Sequence, residues 1–518
     1  MKNTYYITTP IYYVNDIPHI GHAYTSVASD VIARFMRLSG KDVMFLTGTD
    51  EHGQKVEKSA IAKNVEPQIF TDTLSETFRT LMHSMNISNN DFIRTTEARH
   101  KQAVSSLWQT LLDNGDIYLG SYKGWYSVRD ETFYNESELT ADGLAPTQAP
   151  VEWLEEPSYF FSLSKWQDKL LDFYDANPDF IRPNTRRNEV ISFVKSGLHD
   201  FSISRSSFNW GIKVPNDEQH IIYVWLDALT NYISALGYPN DTSQYNKFWP
   251  ADVHVVGKDI LRFHAVYWPA FLMAAGLPLP KCIMAHGWWL NEGQKISKSI
   301  GNVIDPLQLI KEFGLDPVRY YLMREIIFGS DGSYSRSGFV NRTNSELSNK
   351  IGNLLQRTLA FVYKNNDAKI PLISQESIND IYESFLIKIS QQIISENLIF
   401  MDRFDMNSVL ENIITLTEEA NIYIDREAPW QLKKTDPIKM AKVLYTLLET
   451  LRYIAVMLQP FIPDSASKML DQLAVPESQR MFKHLTKEFS LTPGSIISQP
   501  EAIFPRFQEI FSTNDQNI

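Results

Sequence analysis

TYYITTPIYYVNDIPHIGHAYTSVASDVIARFMRLSGKDVMFLTGTDEHG, residues 4–53, decides the fold. Its opening, Thr4 to Tyr13, is rich in β-branched and aromatic residues and reads as a strand, which Pro18 ends. From about Ala23 to Leu38, the apolar residues Val27, Val31, Ile32, Phe35, Met36 and Leu38 recur mostly at helical spacing, and Gly40 follows as a stop signal. Val43–Leu46 reads as a short buried strand and Thr47–Gly53 as a loop. Strand, helix and strand in that order imply parallel pairing, with sites at the carboxyl ends of the strands.

Working outward, the composition shifts between residues 116 and 215. Trp125, Tyr126, Phe133 and Trp153, among several turn residues, suggest a smaller insertion of short strands. The α/β character returns at Ile221, with Ile221–Trp225 as a strand, a helix from about Ala228, Val253–Val256 as a strand ending in Gly257, and Ile283–His286 as another. After about Arg342 the chain reads as helical to residue 474. Asp436-Pro437 looks like an N-cap with proline at the first helical position, opening a helix through Leu458, and Asp464 is a cap for the next. The expected fold is a doubly wound, Rossmann-like α/β domain with halves at 1–115 and 216–315. It is split by an insertion with a knuckle at 116–215 and followed by a junction at 316–345, an α-helical bundle at 346–474 and a tail at 475–518.

Composition bounds the function. The chain has 518 residues, 43% hydrophobic and 21% charged, as in an ordinary globular protein. It contains no apolar run of about 18 residues, the length a membrane span needs, and MKNTYYITTPIYYVND lacks the apolar core of a signal peptide. The single Cys282 excludes an internal disulfide and any multi-thiolate metal site, so a cytoplasmic protein is expected. A net charge of −12 runs against nucleic-acid binding unless a basic face is local.

Two motifs carry chemistry. Pro18-His19-Ile20-Gly21-His22 stands between strand and helix. A helix N-terminus offers unpaired N–H groups and partial positive charge to a phosphate, and two histidines add donors. Gly21, without a Cβ, allows a flat base or ribose to approach. Lys295-Ile296-Ser297-Lys298-Ser299, flanked by Gly293 and Gly301, puts two lysines and two serines in a mobile loop. Such a loop neutralises phosphate charge as it develops in nucleotidyl transfer. Taken alone, the first motif reads more readily as a turn with incidental histidines and the second as a solvated basic loop. Their order within α/β sequence is the more specific signal.

An HIGH tetrad followed by KISKS resembles the class I aminoacyl-tRNA synthetases. The strings TTPIYYVNDIPHIGHAYT, FLTGTDEHGQK, YVWLDALTNYI, VVGKDILRFHAVYWPAFL, HGWWLNEGQKISKSIGN and REAPW look like the methionine-specific family of that class, from about Thr4 to the final helices. The resemblance implies that methionine is activated with ATP and Mg²⁺ to methionyl-adenylate and pyrophosphate, then transferred to the 3′ end of initiator and elongator methionine tRNAs. It implies His19 and His22 at the α-phosphate, with Lys295 and Lys298 at the pyrophosphate. Gly21, Ser297 and Ser299 complete the ATP set, and Gly257 and Asp259 contact the ribose. It places Ile11, Tyr13, Trp225, Ala228, Tyr232, Ile260, His264 and Trp268 around the thioether, which favours aromatic edges. Asp50 pairs with the ammonium. Asn353, Arg357 and Trp430 read the anticodon.

Relatives with a cysteine-ligated zinc knuckle differ from GWYSVRDETFYNESEL, which has no cysteine, so a zinc-free knuckle held by Trp125, Tyr126 and Phe133 is expected. His100 and His199 offer the remaining metal-ligand set, and no metal is expected there. The chain stops before the C-terminal dimerising domain of some relatives, which favours a monomer. Arg182, Arg186, Arg187, Lys195 and Arg205 are assigned to the tRNA acceptor end, and Lys433 and Lys434 join Arg357 at the anticodon arm. The rival readings are another class I synthetase, a smaller nucleotidyltransferase, and a tRNA-binding paralogue without catalysis.

Overall fold

The computed structural model describes residues 3–15, 17–130, 132–134, 136–291, 293–295 and 303–508. It divides into two compact units, one of residues 2–29 and 43–286, the other of residue 1, residues 30–42 and residues 287–518.

The first unit is built on a parallel sheet. Its order is Tyr12–Tyr13, Asp42–Asp50, Thr4–Thr8, Val253–Gly257, Ile283–His286, Ile181–Arg182, with Asp91–Arg94 also paired to Asp42–Asp50. Thr4–Thr8 is thus flanked by a strand that follows it closely in sequence and by one some 250 positions on. Strands are added on both sides of it, and such a switch point places a crevice at the strands' carboxyl ends. The strand expected over Thr4–Tyr13 is two strands, because Pro10 has no N–H to donate to the ladder. The helix begins at Ile20 rather than Ala23, so Gly21 and His22 lie in its first turn. The third strand runs on through Asp50, whereas a loop was expected from Thr47. The alternation that marks a strand is missing there because Phe45 to Asp50 are all buried.

The stretch after Asp116 forms an antiparallel sheet, Thr132–Tyr134, Ile117–Ser127, Glu152–Phe161, Phe201–Ser202. Its two main strands, eleven and ten residues long, exceed the short strands expected. Ile221–Trp225 is not one strand. Asp217–Ile222 pairs antiparallel with its neighbours and a helix starts at Val224. The core beneath the parallel sheet packs Tyr6, Trp108, Tyr232, Trp249, Trp268 and Phe271 with many aliphatics.

The second unit is mainly helical. Arg336–Arg342 continues through a π-helical stretch, Thr343–Gly352, into Asn353–Asn365, and Phe385–Asp402, Met406–Glu427 and Pro437–Leu458 follow. Asp436 caps the last of these, accepting the Lys439 N–H at 2.9 Å. Asp464 lies within the first turn of Pro463–Gln472 rather than at its cap. The buried Arg319 guanidinium meets Asp30 at 2.7 Å and the carbonyls of Pro460 and Phe461 at 2.9 and 3.1 Å, so one ion pair and two carbonyls offset a costly burial. Among the described residues, no helix is long and apolar enough to cross a membrane.

Candidate functional site

The crevice of the first unit gathers most of the residues expected from sequence. At the N-terminus of the Ile20–Leu38 helix the two histidines are folded onto their own backbone. The Gly21 N–H donates to His19 Nδ1 and the His19 N–H to His22 Nδ1, each at 3.1 Å. Both Nδ1 atoms are acceptors, so in the neutral rings the proton sits on Nε2. The ring centroids stand 4.0 Å apart, and His22 is wedged edge-on against Tyr12 and Phe78. Tyr12, a buried phenol pushed up to about 12 by desolvation, holds the helix through Ser26 Oγ at 2.7 Å and the His22 carbonyl at 3.3 Å. A Cβ on Gly21 would lie 2.9 Å from His19 Cε1. The glycine therefore makes room for the His19 ring, not only for a ligand.

Gly257 ends its strand in register with His286, and a Cβ there would lie 2.6 Å from Asp259 Oδ1. The carboxylate folds back over the glycine. His286 is a site residue that the family resemblance gives no role. Thr25 donates to the Gly21 carbonyl at 3.0 Å, so His286 Nε2, 2.8 Å from Thr25 Oγ1, is the donor to that hydroxyl. His286 thus ties the Gly257 strand end to the His19–His22 turn.

The aromatic part of the crevice is buried. His264 Nδ1 donates to the Ile260 carbonyl at 2.9 Å, which leaves Nε2 to accept the Tyr232 hydroxyl at 2.7 Å. Burial drives the His264 pKa down to about 4, so the ring is neutral. Tyr232 stacks on His254 at 4.0 Å and stands 6.1 Å from Trp268, and its carbonyl accepts the Tyr6 hydroxyl at 2.8 Å. Trp225 stacks on Phe263 at 3.7 Å and 8° and meets His264 edge-on. Phe263–Tyr267 is a π-helical turn, so His264 and Trp268 are not simple neighbours on one α-helical face, yet both pack on Tyr232. Such turns recur at functional sites. Tyr13 and Asp50 are register partners at their strand ends, Ala228 is buried, and Ile11 and Ile260 pack on the same core. Phe263 and His254 were missed because an isolated Phe or His in an apolar run gives no signal of its own.

Of the KISKS motif, Lys295 is described only through its backbone, paired with Leu290. Ser297, Lys298 and Ser299 lie outside the described residues. In the second unit, Asn353 opens a helix, exposed, and Arg357 one turn on bonds Asp425 at 2.5 Å with its guanidinium 5.7 Å from the Trp430 ring. Trp430 is 43% exposed. Lys433 and Lys434 are exposed beside it in sequence, Lys433 bonding Asn365 at 2.8 Å. Of the basic groups assigned to the acceptor end, Arg182, Arg186 and Arg187 are paired with Asp179, Glu189 and Asp175. Arg205 is not on a basic face. It is 4% exposed, bonds Ser202 and Ser204, and lies over the Tyr223 ring at 4.7 Å. In the knuckle region Trp125 packs edge-on against Trp153 at 5.4 Å and Tyr126 is buried, while the Phe133 side chain lies outside the description. Among the described residues, no three His, Cys, Asp or Glu side chains form a metal-ligand group.

Two family models match this chain. One, tRNA synthetases class I (M), covers residues 5–148 and 143–359, and the other, the anticodon binding domain of methionyl tRNA ligase, covers residues 377–514. Trp430 falls in the second match, Asn353 and Arg357 in the first. The methionine–tRNA ligase of Rickettsia felis is 73% identical over 508 residues, covering 98% of this chain and 99% of that one. That of Rhizobium meliloti is 52% identical over 514 residues, covering 98% and 99%. Mycobacterium tuberculosis methionyl-tRNA synthetase in complex with methionyl-adenylate superposes with a TM-score of 0.92 at 47% identity, over 98% of this chain and 100% of that one. The free form of the same protein gives 0.86 at 45%, over 98% and 99%.

Proposed function

This chain belongs to the methionyl-tRNA synthetase family of class I, and from that premise we propose that the crevice at the carboxyl ends of its parallel strands is where methionine is activated. The chain is a methionine–tRNA ligase. The methionine carboxylate attacks the α-phosphorus of ATP, pyrophosphate leaves, and the terminal tRNA hydroxyl then takes the acyl group with release of AMP. Neither step needs a covalent enzyme intermediate, so positioning and electrostatics carry the rate.

His19 and His22 present Nε2–H donors to the α-phosphate, Gly257 and Asp259 take the ribose, and Lys295, Ser297, Lys298 and Ser299 neutralise the departing pyrophosphate of Mg·ATP. Asp50 holds the methionine ammonium. Ile11, Tyr13, Trp225, Ala228, Tyr232, Ile260, His264 and Trp268 enclose the thioether. The observation that carries this reading is the neutral His264, fixed by the Ile260 carbonyl and the Tyr232 hydroxyl within an aromatic wall. It gives an apolar, polarizable side chain aromatic edges and an uncharged imidazole to pack against. Asn353, Arg357 and Trp430 read the anticodon, Trp430 by stacking. The enzyme acts as a cytoplasmic monomer on initiator and elongator tRNA, with a knuckle that needs no zinc. A sedimentation mass of one chain and undiminished activity after chelation of zinc check those two points. The central test is ATP–pyrophosphate exchange with each amino acid in turn. Methionine should stimulate it far above the rest, and stimulation mainly by another amino acid would overturn the assignment.

A further inference from the structure

Asp227 sits between Trp225 and Ala228 on the Val224–Leu229 helix and is completely buried. Its Oδ2 is 2.7 Å from His52 Nδ1 and its Oδ1 is 2.7 Å from His100 Nε2. Burial works against the carboxylate, but the charge and hydrogen bonds of His52 and His100 outweigh it and hold its pKa at about 2. An ionised carboxylate only accepts, so both imidazoles donate to it. Neither histidine lies in the set expected to touch ligand.

Two of the segments that meet here carry residues assigned to the methionine pocket, the strand end with Asp50 and the helix with Trp225 and Ala228, and the third, the His100 helix, reaches the short helix that carries Tyr232. His52 follows Asp50 by two residues where the chain leaves its strand, and its ring packs edge-on against Trp210 at 5.5 Å. Trp210 in turn donates its indole N–H to the Glu51 carbonyl at 2.5 Å. His100 comes from the Ala98–Asp113 helix and its Nδ1 is 2.9 Å from Ser234 Oγ, on the short Asn231–Ser234 helix that also carries Tyr232. Glu51 faces the other way, gripped by Arg94 at 2.6 and 2.9 Å, Thr49 at 2.7 Å and Thr96 at 2.6 Å.

We propose that Asp227, His52 and His100 are positioning residues for methionine: the carboxylate, by taking one imidazole on each oxygen, sets the Asp50 strand end at a fixed distance from Trp225, Ala228 and Tyr232. This rests on the reading that the crevice takes methionine there. The amino acid must place its ammonium and its thioether at once, so the spacing of two walls decides affinity. A displacement of about 1 Å at such a site costs on the order of 100-fold.

The test is ATP–pyrophosphate exchange on the full chain, with KM measured separately for methionine and ATP. His52→Ala and His100→Ala should each raise the methionine KM about 10- to 100-fold, the scale of a lost hydrogen bond to a charged group, and leave the ATP KM within about twofold. Asparagine carries an amide N–H where His52 has Nδ1, and glutamine where His100 has Nε2. His52→Asn and His100→Gln should therefore recover most of the loss, whereas His52→Gln and His100→Asn should not. Trp225→Ala is measured alongside. If it raises the methionine KM and the histidine variants do not, the positioning role falls and the pocket stands; if it too has no effect, the pocket reading itself falls. Equal rises in both KM values, or failure of all the histidine variants to fold, would make the cluster a stability element and overturn the proposal.

Discussion

Tyr232 and His264 are each 1% exposed and hydrogen-bonded to one another, whereas Trp430 is 43% exposed and Arg357 leans on Asp425, a carboxylate that is itself largely in solvent. The proposed amino-acid pocket is tightly packed and internally hydrogen-bonded. Its donors and acceptors are assigned by neighbours that can take only one role, such as the Ile260 carbonyl. Arg357 and Trp430, proposed to read the anticodon, are held by contacts that cost little to exchange. An exposed ion pair contributes about 0–1 kcal/mol, so RNA has little to displace. A small apolar substrate offers few handles and must be recognised by a rigid cavity, while a large polyanion brings enough interactions to remodel an exposed surface.

The largest effect expected on this contrast is at the phosphate end. His22→Ala removes the donor proposed for the α-phosphate, and exchange kcat should fall about 100- to 1,000-fold. A fall of less than tenfold would reduce the histidine to a packing role against Tyr12 and Phe78. Next comes Trp430→Ala, which should lower kcat/KM for tRNA charging by about 5- to 150-fold, the range of 1–3 kcal/mol of lost stacking. Exchange without tRNA should stay within about twofold, and equal losses in both assays would erase the distinction between the two regions.

Tyr232→Phe deletes the donor to His264 Nε2 and leaves a buried acceptor unpaired. The methionine KM should rise about tenfold with little change in the ATP KM. The same imidazole gives a pH signature. Its folded pKa, about 4, lies below the ordinary 6.5 because of burial. Between those values the unfolded chain binds a proton that the folded chain refuses, so this contribution to stability is complete above about 6.5 and is lost as the pH falls toward 4. His264→Gln should flatten the decline of the unfolding midpoint over that window, and an unchanged slope would show that other groups set it. The smallest effect belongs to Asp425→Asn. Stability should change by less than about 1 kcal/mol, and tRNA affinity should hold or rise up to about threefold as Arg357 is released. A loss of affinity would mean that the pair orients Arg357.

Much of the parallel scaffold was legible because Val27, Val31, Phe35 and the short apolar strands follow simple periods. The exact element ends were not. Pro10 and the buried run to Asp50 changed them, since hydrogen-bond supply and two-sided burial are not expressed in a local period. Among the site residues, those to which the family strings assign a role were legible, whereas the parts played by His286, Phe263 and Asp227, which stand in the same strings, were not. Each of these acts through a partner far along the chain, as Asp227 does through His52 and His100 at separations of 175 and 127 residues. Arg205 was misplaced for the same reason: a basic residue in a polar stretch reads as surface, and only its contacts with Ser202, Ser204 and Tyr223 reveal a buried cation.

The sequence by itself determined the class of sheet, the order of the HIGH and KISKS motifs and, through family strings, the substrate. Tertiary structure alone decided which protons sit where, on Nε2 of His19 and His22 and on Nδ1 of His264. It also decided which carboxylates are clamped and which charges are buried. Periodicity and motif spacing are properties of neighbouring residues, whereas a tautomer or an ionisation state is set by the one atom that packs against the ring, and the fold chooses that atom from anywhere in the chain.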